Sequence, residues 1–304
     1  MALTVVMNQA RIESLTDVLA RPEELPEVET IRIASYNVHN LFGEAPDVHS
    51  ARPDAPTPDE QLDALGEVIH NLDADVIAFQ EVQNEKVLAG LIRSHVNRRI
   101  KDARYRFSTF VCIPARDPRG INVALATRLA VRGSLTFHDR EFGPVDDSPV
   151  RFSRDLLGVE LFATRRYRFL HFVAHLKSKI GGEDAEYKRG VEAEEIRNIL
   201  EQPQFGGKPY IQQAMVLCGD MNDDPDSEVT ATLKGRRPKA LTDVLATLKP
   251  SLSYPTHHRY KKTRLDYIFA SKAIRVKDPK IHTELEAAPD ASDHYPVSVM
   301  VRVN

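Results

Sequence analysis

Apolar positions along the chain follow two rhythms, alternate residues in some stretches and every third or fourth in others. IRIASY (31–36) alternates as a strand does when one face is buried. Leu62, Leu65, Val68, Ile69 and Leu72 line one face of a helix, and Thr57-Pro58-Asp59-Glu60 is its start signal. There the threonine is placed to cap, proline suits the first helical position and Glu60 completes a capping box. ADVIAFQ (74–80) is an apolar run of the kind expected for a strand covered on both faces. Helical spacing returns over 84–99. Strand patterns then dominate to residue 176: YRFSTFVCI, INVALATR, AVRGSLTF, LLGVELF and YRFLHFVAHL. A charged amphipathic helix fits 185–202, with Val191, Ile196, Ile199 and Leu200 on its apolar side, and AMVLCG, RLDYIFA and PVSVMVRV are later strands. Strands outnumber helices, and the helices fall between groups of strands. That predicts two packed sheets with helices outside, rather than a simple alternating parallel fold.

Residues 1–29 stand apart. A short helical pattern (Ile12, Leu15, Val18, Leu19) ends at Arg21-Pro22 and is followed by PEELPEVET, an acidic stretch with prolines. We read it as an extension of a single domain spanning 30–304. The chain has 304 residues, 42% hydrophobic and 28% charged, with no internal repeat, enough for a large core without disulfides or structural metals. Cys112 and Cys218 both sit in apolar runs and read as buried thiols. The formal charge of −3 gives no global field for polyanions, so a nucleic acid would have to be held by a local patch. The N-terminus lacks a basic region and a long apolar stretch, and no run approaches a membrane span. The expectation is a soluble, cytoplasmic, monomeric protein, secreted only if a leader was removed, with no protein partner.

Polar residues recur where the buried strands end. Asn37 follows IRIASY, Gln80-Glu81 follow ADVIAF, and His175 closes YRFLHFVAH. Asp220 and Asn222 follow AMVLCG, Asp266 interrupts an apolar strand, and Asp293-His294 precede the last strand. Strand ends gather at one sheet edge, so these residues can converge although they are distant in sequence. Buried carboxylates cost several kcal/mol or so without a cation or donors. Glu81, Asp220, Asp266 and Asp293, with the amides of Asn37 and Asn222, form an oxygen-rich set suited to Mg²⁺, Mn²⁺ or Ca²⁺ rather than to zinc.

Each residue also has a plainer reading. Glu81 suits a helix start, Asp220 and Asn222 suit a turn-rich GDMNDDPDS segment, and Asn37 and Asp293-His294 suit turns. His175 can be a strand-edge histidine. Asp223, Asp224 and Asp226 read as loop and cap residues, Lys177 and Lys179 as solvated lysines or phosphate contacts in equal measure. His39, His49, His70 and His95 fit no pattern. HHRYKKTR (257–264) is the strongest basic run, either a backbone-tracking patch with Tyr260 for stacking or a solvated hairpin tip, and LKGRRPK (233–239) is a weaker one.

Taken in order, YNVHNLF, FQEV, HLKSK, GDMND, LDYIF and SDHYPV resemble the endonuclease/exonuclease/phosphatase superfamily, the deoxyribonuclease-I-like and exonuclease-III-like group. RGINVALATR, SRDLLGVEL and the KRGVEA helix resemble its bacterial branch. The resemblance covers about 30–304. It implies an α/β four-layer sandwich, two mostly antiparallel sheets face to face and flanked by helices. It also implies a metal-dependent phosphoesterase, most readily a nuclease cleaving DNA or RNA by in-line attack of an activated water. Glu81 would be the principal ligand of Mg²⁺ or Mn²⁺ (Ca²⁺ is an alternative), with Asn37 beside it and Asp293 completing the acidic cluster. Asp220 would activate the water, Asn222 bind the scissile phosphate, and His294, held by Asp266, donate to a phosphate oxygen. His175 and Arg154 would place further positive character on the phosphate; no motif supplies the acidic partner of His175. Alternatives are a sphingomyelinase-like or small-molecule phosphodiesterase or phosphatase, and a catalytically inactive scaffold that binds a partner or nucleic acid.

Overall fold

The computed structural model describes residues 28–43, 55–143, 149–203, 207–248 and 263–303. The helical pattern at 12–19, His49 and residues 257–262 of the basic run lie outside the described residues.

The strands are β1 (Thr30–Leu41), β2 (Val76–Val82), β3 (Thr109–Cys112), β4 (Asn122–Thr127), β5 (Ala130–Leu135) and β6 (Leu157–Phe162). They continue with β7 (Arg168–His175), β8 (Met215–Asp220), β9 (Thr242–Asp243), β10 (Asp266–Ala270), β11 (Arg275–Ile281) and β12 (Val297–Arg302). The α-helices are α1 (Asp59–Leu72), α2 (Glu85–Leu91), α3 (Gly182–Glu201), α4 (Glu228–Lys234) and α5 (Ala288–Ala291). Two six-stranded sheets result, in the orders β11-β12-β1-β2-β4-β3 and β5-β6-β7-β8-β10-β9. Each sheet has one parallel pair, β1 with β2 and β7 with β8, and its other pairs are antiparallel. Each parallel pair is bridged by a helix, α1 or α3, because parallel neighbours need a long crossover. The two sheets therefore share one topology, although the sequence carries no repeat.

Alternation builds the layers. Ile31, Ile33, Val76, Ala78, Phe169, Val173, Val216, Cys218 and Ile268 point inward from both sheets and form the core between them. The other faces pack on helices: Leu65, Val68, Ile69 and Leu72 of α1 against Ile77 and Phe79, and Ala193, Ile196, Ile199 and Leu200 of α3 against Phe172 and Leu217. This is the α/β sandwich that the resemblance implied. Both cysteines are buried free thiols.

Local expectations needed correction in places. Thr57 does not cap α1, whose N-cap is Pro58 without a side-chain bond. Its hydroxyl is drawn instead to the end of β1, accepting from Phe42 N (2.9 Å) and donating to Asn40 O (3.2 Å). The helical stretch at 84–99 is α2, capped by Asn84, followed by a π turn at Ile92–Val96 and a 3₁₀ turn at Asn97–Arg99. Ser227, not one of the preceding aspartates, caps α4.

Candidate active site

Strand register assembles half of the site. His175 lies opposite Asp220 across the parallel pair β7–β8, and Asp220 opposite Asp266 across β8–β10. All three continue the inward face that buries Val173, Cys218 and Ile268 farther along the same strands. The core face thus turns from apolar to ionisable at the sheet edge. Gly219 permits this close pairing: its φ is +144°, and a Cβ there would lie 1.8 Å from Ala174 O.

The opposing sheet supplies the rest. Asn37 extends the inward face of β1 and lies opposite Gln80 of β2. Simple alternation would point Glu81 toward the helices with Phe79. Instead the β2–β4 register slips after Phe79 and Glu81 has φ +66°, a bulge that aims its carboxylate toward Asn37. Asn37 Nδ2 donates to Asp220 Oδ2 (3.1 Å) and to Glu81 Oε1 (3.4 Å), and lies 3.5 Å from His294 Nε2. Its Oδ1 accepts from His39 N (3.1 Å), and Glu81 Oε2 accepts from Asn40 N (3.0 Å). Ser292 ties the last motif to β1: its hydroxyl donates to Asn37 O (2.7 Å) and accepts from His294 N (3.1 Å).

Asn37, His175, Asp220, Asp266 and His294 are each at most 4% exposed, so their charges must be settled by one another. His294 Nδ1 meets Asp266 Oδ2 at 2.8 Å, which fixes the ring and turns Nε2 to 3.7 Å from Asp220 Oδ2. Burial works against the charge of His294, but Asp266, Asp220 and Asp293 outweigh it and push the imidazole up to about 10. Burial raises Asp220 to about 7; His294 opposes that shift and Asp266 adds to it. His175 Nε2 is 3.7 Å from Asp220 Oδ2, and its Nδ1 has no hydrogen-bond partner among the described residues. Burial, then Arg154, His294 and Arg119, hold it well below the ordinary histidine range, so it is neutral. Two histidines beside one carboxylate therefore carry different charge.

Asp293 lines the cleft with Glu81, 3.9 Å from His39 Nε2. Asn222, at φ +52°, spends its amide nitrogen on Leu176 O (3.1 Å), while its backbone N–H donates to Asp220 Oδ1 (2.8 Å). Arg154 is buried, donates to the same Leu176 carbonyl (3.1 Å) and pairs with Asp117 (3.0 Å). Both line the cleft while fixing the turn after His175. Arg264 does not belong to a solvated basic run: it is 2% exposed, paired with Asp243 and stacked on the Tyr267 ring at 4.1 Å.

Sequence reasoning missed the supports. Glu192 of α3, almost wholly buried, accepts from Ser153 N (2.6 Å) and Lys177 N (2.8 Å), joining two cleft loops. Arg189, one turn earlier, donates to Asp223 Oδ2 (2.9 Å) and Lys177 O (3.3 Å). The available signal was charge on the inward side of an amphipathic helix, in the KRGVEA segment.

A sequence model of the Endonuclease/Exonuclease/phosphatase family matches residues 34–294. The chain belongs to that family. No curated protein matches it. Among solved structures, a family member from Leptotrichia buccalis C-1013-b is 19% identical with a TM-score of 0.59, covering 90% of this chain and 99% of its own. ANGEL2, a 2′,3′-cyclic phosphatase solved with adenosine-2′,3′-vanadate, is 16% identical (TM-score 0.60, 90% and 96% covered). The human Nocturnin catalytic domain with bound sulfate is also 16% identical (TM-score 0.60, 91% and 97% covered). These likenesses concern the fold. Family membership makes the chain a phosphoesterase at the level of class.

Among the described residues, no three His, Cys, Asp or Glu side chains are grouped to hold a metal ion. The donor set nonetheless fits one kind of ion. Glu81 and Asp293 offer hard oxygens without a cage, and Mg²⁺ commonly keeps several waters and takes one or two carboxylates. The Asn37 amide, expected to stand beside the ion as a ligand, instead turns its nitrogen to Glu81 and Asp220 and its oxygen to His39 N.

Proposed function

We propose that the chain is a divalent-metal-dependent phosphodiester hydrolase acting on nucleic acid, with water as the nucleophile. The observation that carries this reading is the buried Asp266–His294–Asp220 array at the junction of the two sheets. Its pieces have separable tasks. Asp266 holds the His294 ring, and Nε2–H of the imidazolium donates to a non-bridging phosphate oxygen, where negative charge grows during attack. Asp220, raised to about 7, in its ionised form accepts the proton of the attacking water as the new P–O bond forms and the ester P–O bond breaks, and the leaving oxygen takes a proton from solvent. Neutral His175 hydrogen-bonds the phosphate or leaving oxygen without competing for that proton. Asn37 bridges the carboxylates of Glu81 and Asp220, donating one N–H to each. Mg²⁺ or Mn²⁺, held by Glu81 and Asp293, would neutralise further charge on the phosphoryl oxygens.

ANGEL2 acts on a 2′,3′-cyclic phosphate by its description, so the test spans several ester types. Plasmid DNA, single-stranded RNA, adenosine-2′,3′-cyclic phosphate, bis-p-nitrophenyl phosphate and sphingomyelin are offered with Mg²⁺ or Mn²⁺. Turnover of a nucleic acid is expected, falling at least about 10²-fold in His294→Ala and in Glu81→Ala while circular dichroism stays native. Near-native rates in either variant would overturn its assigned role, and inactivity toward every ester would favour the binding scaffold.

A further inference from the structure

The cleft has a volume of about 1180 Å³, more than one phosphate group needs, and both acids and cations line it. Glu81 and Asp293 lie with the first sheet. Arg119, Arg154, Lys177 and Lys188 line the flank beyond His175. Other cations of that flank are matched by carboxylates: Lys179 by Asp224, Arg116 by Asp139 at 2.7 Å, and Arg151 by Glu141. Nearer His175, acids and cations are shared rather than paired one to one. Asp117 serves two arginines, 3.0 Å from Arg154 and 3.7 Å from Arg119. Lys177 Nζ donates to neutral acceptors, Ile180 O (2.9 Å) and Ser178 Oγ (3.3 Å). Glu192, the carboxylate that favours its charge, is already engaged by two backbone N–H groups. Burial first, and then Arg154 and Lys188, bring the Lys177 ammonium below its ordinary range. Glu192 and Arg189 hold the backbone of Lys177 on both its N–H and its carbonyl, so this lysine cannot swing away by loop movement alone.

We propose that Lys177, Lys188 and Arg119 form a second phosphate subsite on the His175 flank, for a phosphate one linkage away from the scissile one. This rests on the reading above and narrows it to substrates with at least two phosphates in a chain. A 2′,3′-cyclic mononucleotide would leave the subsite empty. A choline headgroup would bring a cation against a cationic wall. An oligonucleotide backbone meets both requirements, and a short polyphosphate shares the chemistry.

Binding and turnover together test it. Anisotropy of a fluorescein-labelled thymidine hexanucleotide is titrated in EDTA at several NaCl concentrations, with inorganic tripolyphosphate as competitor in a separate arm. Lys177→Ala/Lys188→Ala is expected to weaken hexanucleotide binding about tenfold. The slope of log affinity against log salt should shrink by about 0.7 for each phosphate that the protein no longer neutralises. Lys188→Glu, on the surface of α3, should weaken binding without disturbing the 177–180 turn. Wild-type affinity and slope in both variants would overturn the subsite. Displacement by tripolyphosphate at concentrations matching the hexanucleotide would assign the site to a polyphosphate chain rather than to a nucleic acid. In turnover, the ratio of kcat/KM on the trinucleotide TpTpT to that on bis-p-nitrophenyl phosphate should fall about tenfold in the double variant, and an unchanged ratio also counts against the subsite. If the wild type hydrolyses neither ester, the proposed activity fails, while the anisotropy still decides the subsite.

Discussion

His171 and His175 stand on the same face of β7, four residues apart, the first between the sheets and the second at the cleft. Burial alone sets the charge of His171: Nε2 lies 3.6 Å from Cys218 Sγ, and desolvation lowers the imidazole to about 3. The unfolded chain, with an ordinary histidine near 6.5, binds a proton that the folded chain refuses. Stability is thus fully present above pH 6.5 and is lost as pH falls toward 3, at roughly 1.4 kcal/mol per unit. His171→Leu should flatten this part of the acid limb, read from urea midpoints at pH 7, 6 and 5. Parallel limbs for variant and wild type would refute it. The sequence disclosed residues of this kind unevenly. Asp266 was legible because a carboxylate inside an apolar strand demands a partner, and His294 is that partner. His175 gave no hint that its nearest acid is the shared Asp220, since that follows from the pairing of strands 45 positions apart.

Elements were legible where pattern and environment agree. The apolar runs of β2, β7, β8 and β12 are covered on both faces, and each forms the strand its pattern predicts. β11 escaped because RVKDPKI lies at a sheet edge, carries a proline and slips register between Lys277 and Lys280. Thr57 escaped for the opposite reason: a good local signal lost to a tertiary partner. Gly219 joins the two levels, since GD looks like an ordinary turn and its glycine is required by the β7–β8 pairing. Gly219→Ala places a methyl against Ala174 O at a φ unsuited to alanine, with no flexible neighbour to yield. The expected cost is at least about 3 kcal/mol, measured by denaturant unfolding. A loss under about 1 kcal/mol would mean that the strands separate easily there, and that the alignment of His175 with Asp220 is loose.

At the scale of the molecule, two sheets of one topology meet so that ionisable groups from each close over a common edge. Neither sheet holds the site alone: Asn37 and Glu81 come from one, His175, Asp220 and Asp266 from the other. Such a junction keeps acids together at a cost to stability, and a cation that binds only this arrangement should restore part of it. Ligand linkage puts the gain at about 2.7 kcal/mol when the ion is at one hundred times its dissociation constant. For a domain of this size that is a rise of roughly 4 °C in Tm. Mg²⁺ or Mn²⁺ should therefore raise the Tm of the wild type, EDTA should reverse it, and Glu81→Ala should abolish the rise even if its own Tm is native. This readout is independent of turnover. An equal rise in Glu81→Ala would place the ion elsewhere and leave the carboxylates at the sheet junction without the role proposed for them.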